Sequence, residues 1–322
     1  MNLVISVLKT VSESFPDYVV YAPNTGDILI VAKNQGSLPP PDPAVLHIPE
    51  IAAALERISI RAVQDIEFRK VGDRNVLRRL LETSRIPANS DYEPFLDQHA
   101  SKARFLKAKA TEILMYAHVP IPAFEILSDS SKRDTRTEIT PSISFGLTLM
   151  AHSAMGIRDY YLTGNFDPKY EQMPSQIREN AVLLKKLFFK QGIKTDETER
   201  LTAIYNTGAF ITPFLTPNEL DAIWKYLESG PNAKTLTKVE KDWLALFKAV
   251  GHRNAQGMAA AAGELLPNSS KKYPTMFKYL VTAGAIGTSK SRGREALERT
   301  WGPFLHELRD KGESRFLLQL LL

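Results

Sequence analysis

Residues 18–33 read YVVYAPNTGDILIVAK. Two runs rich in β-branched and aromatic side chains, YVVYAP (18–23) and ILIVAK (28–33), flank the polar tetrapeptide NTGD (24–27). Such runs suit the pleated, half-buried surface of a sheet. So short a connection makes them an antiparallel hairpin. Gly26 is the residue expected to take a positive φ in the turn. The second run is apolar at consecutive positions, which predicts a strand buried on both faces. This hairpin decides the fold class, because no convincing strand follows residue 127.

On the N-terminal side, residues 1–14 place Leu3, Val7, Leu8 and Val11 on one helical face, and Phe15-Pro16-Asp17 ends that helix. On the other side, NQGSLPPPDP (34–43) reads as an extended crossing. Residues 48–59 form a helix with Pro49 in its first turn. Residues 73–84 form another, with Asp73 as N-cap. Residues 97–117 read as one long amphipathic helix carrying Ala103, Phe105, Leu106, Ile113, Leu114 and Tyr116. The stretch 128–141 has almost no large apolar residue and reads as a linker. Helical periodicity then covers 142–162, 175–191, 196–209, 217–229, 237–250, 253–266, 273–284 and 293–322, with a break expected near Gly302-Pro303.

The predicted class is therefore α+β, mostly α. A hairpin-containing domain over 1–127 is joined through the linker to an all-helical domain over 142–322. Within the helical domain, Trp243, Leu246 and Val250 share one helix, and Ala259 and Ala262 lie on the next. Phe277, Leu280 and Gly284 follow about 34 residues after the first set. That period resembles tetratricopeptide repeats, although Phe247 stands where such repeats carry a small Gly. The aromatic residues Trp224, Trp243, Phe277 and Trp301 sit at helical spacing and are expected in the core.

Two stretches carry a family resemblance. ESFPDYVVYAPNTGDILIVAKN (13–34) resembles the closing hairpin of spermidine synthase-like proteins, which have the class I methyltransferase fold. There a Phe-Pro pair precedes a strand and a Gly-Asp turn leads into an apolar one. GDRNVLRRLLETSRIPANSDYEPFLDQHASKARFL (72–106) resembles the C-terminal extension of the longer bacterial members, in which Asn-(Ser/Thr)-Asp-x-x-Pro follows a helix. In this chain the motif is Asn89, Ser90, Asp91 and Pro94, and the resemblance covers about residues 1–125. Asn89 and Asp91 are expected to cap the local turn, and Pro94 to keep Glu93 extended.

The resemblance implies descent from enzymes that move an aminopropyl group from decarboxylated S-adenosylmethionine to a polyamine. Their nucleoside-binding glycine turn, ribose-binding acid and amine-binding carboxylates all lie upstream of the hairpin. No Gly-x-Gly follows a strand here. No catalytic or cofactor-binding residue is carried over, and no cofactor is expected. The chain looks like the C-terminal portion of such a protein, inactive alone or completed by a partner chain.

An isolated hairpin is marginal in water, and residues 28–33 would present a free edge. Either the helices at 1–14 and 48–59 cover that edge or another chain does, by self-association or as the missing half. The alternative function is a helical-repeat module that binds a protein partner.

Other signals narrow the choice. Hydrophobic residues make up 43% and charged residues 24%, as in ordinary globular proteins. Forty-one basic residues face 36 acidic ones, for a net charge of +5, too small an excess to require an anionic partner. There is no Cys, which removes disulfides, thiolate metal sites and thiol nucleophiles. No apolar run reaches the roughly 18–20 residues of a membrane helix, and MNLVISVL lacks the basic start of a signal peptide. A cytoplasmic protein without membrane contact is expected.

GAIGTSKS (284–291) approaches a phosphate-binding loop, but Ser289 replaces the second Gly, so it reads as a loop between helices. SKSRGR (289–294) offers Lys290, Arg292 and Arg294 as anion contacts. No aromatic residues interleave with it, so nucleic acid is not expected. The six histidines (47, 99, 118, 152, 252 and 306) show no metal-binding spacing.

Overall fold

The computed structural model describes residues 1–24, 26–58, 60–107, 110–118, 120–129, 146–190, 196–269, 273–310 and 321. The predicted linker, 128–141, lies almost wholly outside them. The chain forms two units, Met1–Thr148 and Leu149–Arg315. Helices dominate, and a small antiparallel sheet accompanies them in the first unit.

The first unit contains α1 (Asn2–Ser14), β1 (Asp17–Tyr21), β2 (Leu29–Lys33), α2 (Pro49–Glu56), α3 (Val63–Phe68), β3 (Lys70–Asp73), α4 (Arg74–Thr83), α5 (Phe95–Phe105), α6 (Glu112–His118) and α7 (Ala123–Ser128). The hairpin forms as read: β1 and β2 pair antiparallel, from Asp17 opposite Lys33 to Tyr21 opposite Leu29. Its turn closes by a different device. Asn24 Oδ1 accepts from Gly26 N at 2.7 Å and from Asp27 N at 2.9 Å. Gly26 stays outside the left-handed region, and an Asx turn at Asn24 takes the part expected of it.

A third strand was not legible in the sequence. β3 pairs antiparallel with the other side of β1, giving the order β2-β1-β3. Tyr18 and Val20 point from β1 to the face covered by α1 and α4, and both are fully buried. On α1 the core positions are Ile5, Ser6 and Leu8. Of the four residues predicted for that face, Leu8 alone is fully buried.

The expectation that β2 is buried on both faces fails. Leu29, Val31 and Lys33 are exposed, and Ile30 and Ala32 are half-buried. The reason is topological. The third strand joins β1, so β2 is left at the sheet's edge. The single helix expected over 97–117 is also two. α5 stops at Phe105, Lys107 takes a φ of 49°, and α6 begins at Glu112. Phe105 and Leu106 are exposed while Ile113 and Leu114 are buried, so the two halves have no common core face.

The second unit begins within α8 (Gly146–Thr163). It continues through α9 (Ser175–Phe189), α10 (Glu197–Ile211), α11 (Pro217–Glu228), α12 (Lys238–Gly251), α13 (Ala255–Leu265), α14 (Pro274–Arg292) and α15 (Arg294–Asp310). Its helix starts are chemically marked. Thr216 and Glu219 form a reciprocal capping box, as do Thr237 and Glu240. Each glutamate also receives an arginine from an earlier helix, Arg158 for Glu219 and Arg200 for Glu240. Trp224, Trp243, Phe277 and Trp301 are all buried, as expected.

GAIGTSKS is not a loop. α14 runs through it to Arg292, because its small residues are packing sockets. A Cβ on Gly284 would collide with the Trp301 ring, and one on Gly287 would come within 2.7 Å of the α13 backbone. Trp301 Nε1 donates to Thr288 Oγ1 at 2.9 Å, which satisfies the buried indole. Pro303 lies inside α15 without ending it.

Three stability measurements check this packing. Gly284→Ala is expected to destabilise the chain by about 1–3 kcal/mol through overpacking against Trp301. Gly263→Ala, at an exposed helical site where a Cβ meets nothing, is expected to stabilise it by about 0.4–1 kcal/mol. Thr288→Val leaves the Trp301 N–H unbonded and is expected to cost about 1–3 kcal/mol in a urea titration.

Candidate functional site

Eleven large apolar side chains are exposed among the described residues, and ten of them belong to the first unit. Six fall between residues 29 and 58: Leu29, Val31, Val45, Ile48, Ile51 and Ile58. Single exposed apolar residues are ordinary, whereas a cluster of them marks a contact surface. Leu29 and Val31 lie on β2, and Val45, Ile48, Ile51 and Ile58 lie in or beside α2, a helix with no buried residue. α2 therefore does not serve as the expected cover for β2.

The sheet face opposite Tyr18 and Val20 carries Val19, Tyr21, Leu29 and Val31, since Val19 pairs with Val31 and Tyr21 with Leu29. The proline-rich stretch is a strap over this face. Gly36 turns it with a φ of 68°. Leu38 N then donates to Asp17 Oδ2 at 2.7 Å, and Lys33 Nζ donates to Ser37 O at 3.0 Å. The strap leaves an apolar groove of about 320 Å³ lined by Val19, Tyr21, Leu29, Val31, Leu38 and Pro39, among others. Ile60 lines both this groove and a shallow depression of about 370 Å³ beside α2. The two surfaces therefore adjoin.

A larger cleft of about 1110 Å³ lies between the strap, β3 and the start of α4. Its charged groups are engaged in building the fold. Asp17 holds the strap. Asp73 caps α4 by accepting from Val76 N at 3.0 Å and pairs with Lys70 at 3.1 Å. Burial alone would push the Asp73 carboxyl up, but the Val76 N–H and the Lys70 ammonium outweigh it and hold the carboxyl below its usual range. Arg74 donates to Pro16 O. Glu67 faces the Tyr21 hydroxyl, which is pushed up to about 12, chiefly by burial and then by that carboxylate. Arg78 pairs with Glu82 at 3.6 Å, and among the described residues the charged groups of the cleft are engaged in these contacts.

The segment 60–72, unread in the sequence, is organised by a buried pair. Asp65 Oδ2 accepts from Arg61 N and Ala62 N at 2.9 and 3.1 Å. Arg69 donates to Asp65 O at 2.8 Å and Ile58 O at 2.9 Å. Its backbone carbonyl accepts from Ala22 N at 2.8 Å, which brings β3 to β1. An acid four residues before an arginine was the available signal.

In the motif of Asn89, Ser90, Asp91 and Pro94, Asn89 takes the largest part. Its Oδ1 accepts from Leu96 N at 2.8 Å at the start of α5. Its backbone exchanges hydrogen bonds with Thr10 Oγ1 at 2.8 and 3.0 Å, which ties the segment to α1. Ser90 Oγ accepts from Glu93 N at 3.0 Å, so Ser90 and not the exposed Asp91 closes the turn. Pro94 precedes the first residue of α5.

Lys290, Arg292 and Arg294 gather around Gly293, whose φ is 80°. Lys290 and Arg292 occupy the last turn of α14, where a helix dipole favours cations. Arg294 pairs with Glu298 at 2.9 Å. Among the described residues no group of three or more His, Asp or Glu could hold a metal ion, and no helix is long and apolar enough to cross a membrane.

No family model, curated protein or solved structure matches the chain. The likeness of residues 1–125 to spermidine synthase-like proteins therefore rests on the quoted residues alone.

Tyr21 gives this face a pH signature. An unfolded tyrosine ionises near pH ~10, whereas folded Tyr21 keeps its proton until about 12. Its contribution to stability is complete below the lower value and is lost as the pH rises through the higher one. Urea midpoints are expected to fall over that interval, and less steeply in Tyr21→Phe. Equal slopes would remove Tyr21 from the account.

Proposed function

We propose that this chain is a non-catalytic interaction protein whose first unit is a partial, spermidine synthase-like sheet completed by another polypeptide along β2. The observation that carries this is the strand edge of β2, unpaired among the described residues, with Leu29 and Val31 exposed on the strand. Edge strands left apolar and open are contact templates unless something covers them. Aminopropyl transfer needs a nucleoside cradle and free carboxylates. In the cleft of about 1110 Å³, Asp17 and Asp73 are already committed to strap, cap and ion pair. A cytoplasmic location agrees with the Cys-free composition.

A second reading, a helical-repeat binding module, is supported by the recurrence in the second unit. Two Thr-x-x-Glu helix starts each take an arginine from an earlier helix. Trp243 and Phe277, 34 residues apart, are both buried.

In-cell photo-cross-linking separates the two. A photoreactive residue at Leu29 or Ile51 is expected to give an adduct of defined mass with an identified polypeptide, and one at exposed Lys241 of α12 is not. Adducts confined to Lys241 would favour the helical module, and none at Leu29 or Ile51 would end the edge reading. Calorimetry with S-adenosylmethionine and its decarboxylated form is expected to show no binding heat. Saturable binding would overturn the non-catalytic assignment.

A further inference from the structure

We infer that the occupant of the β2 edge is a second copy of the same strand, paired antiparallel across a two-fold axis through Ile30. This rests on the reading of β2 as an interaction edge and adds the partner and the register.

The segment 27–33, DILIVAK, is self-complementary about its central residue. With Ile30 opposite the partner's Ile30, Leu29 falls opposite the partner's Val31. Ile28 falls opposite the partner's Ala32, and Asp27 opposite the partner's Lys33. Strand side chains alternate, so Leu29, Val31 and Lys33 share one face of β2, and pairing would extend the strand by two residues to bring Asp27 onto that face; all four are exposed. The two-fold axis therefore joins the exposed Leu29 and Val31 of both copies into one apolar patch with a carboxylate–ammonium pair at each end. Opposite charges and apolar residues directly across an antiparallel pair are the favourable arrangements, and a patch that matches itself is what a two-fold interface requires.

The charges also fix the register. Moving the axis to Val31 sets Leu29 opposite the partner's Lys33. Moving it to Leu29 sets Asp27 opposite the partner's Val31. Either shift places an ion against an aliphatic side chain.

Among the described residues of the first unit, the outer side of β2 has no paired strand. The strap leaves β2 at Gly36 and is tied to Asp17 at the start of β1, so it runs inward across the sheet and not along the outer side of β2. Among the described residues the Asp27 carboxylate accepts from Asn24 Nδ2 at 2.8 Å and Lys33 Nζ donates to Ser37 O at 3.0 Å, both local contacts. A carboxylate and an ammonium each accommodate several hydrogen-bond partners, so both keep capacity for a further charge. Pairing would produce a continuous sheet in the order β3-β1-β2-β2-β1-β3.

The absence of native Cys makes the register testable without background. Residues opposite one another in an antiparallel pair lie within disulfide reach. Ile30→Cys is expected to form a covalent dimer on mild oxidation. Ala32→Cys alone is not, whereas a mixture of Ile28→Cys and Ala32→Cys is. By sedimentation the unaltered chain is expected to dimerise, and Asp27→Lys to weaken the dimer by about tenfold or more. The double variant Asp27→Lys/Lys33→Asp is expected to restore it. Val31→Lys is expected to abolish association while the chain keeps its native circular dichroism, with a melting temperature that no longer depends on protein concentration. Failure of the double variant to restore the dimer, or cross-linking through Ala32→Cys as ready as through Ile30→Cys, would overturn the register. A chain that sediments as a monomer throughout would overturn the second copy as occupant. A photo-adduct of Leu29 with a different polypeptide would then keep the broader interaction reading, and no adduct would end both.

Discussion

Tyr18 and Val20 project from β1 into the helices behind it, and both are closed off from water. The rest of the first unit depends on that contact. β1 is the strand with a neighbour on each side, so its burial aligns β2 and β3 together. Because strand side chains alternate, sending Tyr18 and Val20 inward commits Val19 and Tyr21 to the opposite face. Leu29 and Val31 follow through the register. The outward apolar surface is thus a consequence of how the core is built, and the strap and the open edge are two responses to it.

The second unit is governed by close approach of helices. Gly208 receives the Phe247 ring and Gly284 receives Trp301. Tyr205, Trp243, Phe247 and Tyr279 then form a continuous aromatic cluster. Tyr205 and Tyr279 meet edge to face with centroids 5.8 Å apart. Such contacts tolerate little change in volume. Glu240 is buried where α12 begins, and its carboxylate is divided between its own capping box and Arg200. A buried charge in that position is stabilised because both oxygens are engaged.

Much of this was legible in the sequence, for identifiable reasons. The hairpin was clear because two β-branched runs flank a polar tetrapeptide, and the helices of the second unit were clear because apolar spacing and polar caps agree. β3 was not, since Lys-Val-Gly-Asp is too short to show alternation and is held by backbone bonds from Arg69 and pairing with β1. α14 was cut short because Gly284 and Gly287 look like breakers until the aromatic ring and the backbone they admit are seen. The exposure of β2 was misjudged because consecutive apolar residues mark a strand that buries both faces, without saying whether its own chain supplies the cover. At the motif 89–94 the sequence named the right cap in Asn89 and the wrong second one in Asp91, because the choice between Ser90 and Asp91 depends on which side chain faces Glu93 N.

The strap over the outer face has one further consequence. Residues 39, 40 and 41 are all proline. Proline has no amide hydrogen and a ring-fixed φ. A run of ordinary residues crossing an oily trough would bring several donors with nothing to bond to, and would surrender much conformational freedom in settling there. Three imino acids bring no such donors and have little freedom to lose. The chain thereby lays a thin second layer over its sheet without a helix or a further strand, and the layer needs only one anchoring carboxylate, that of Asp17, where it begins.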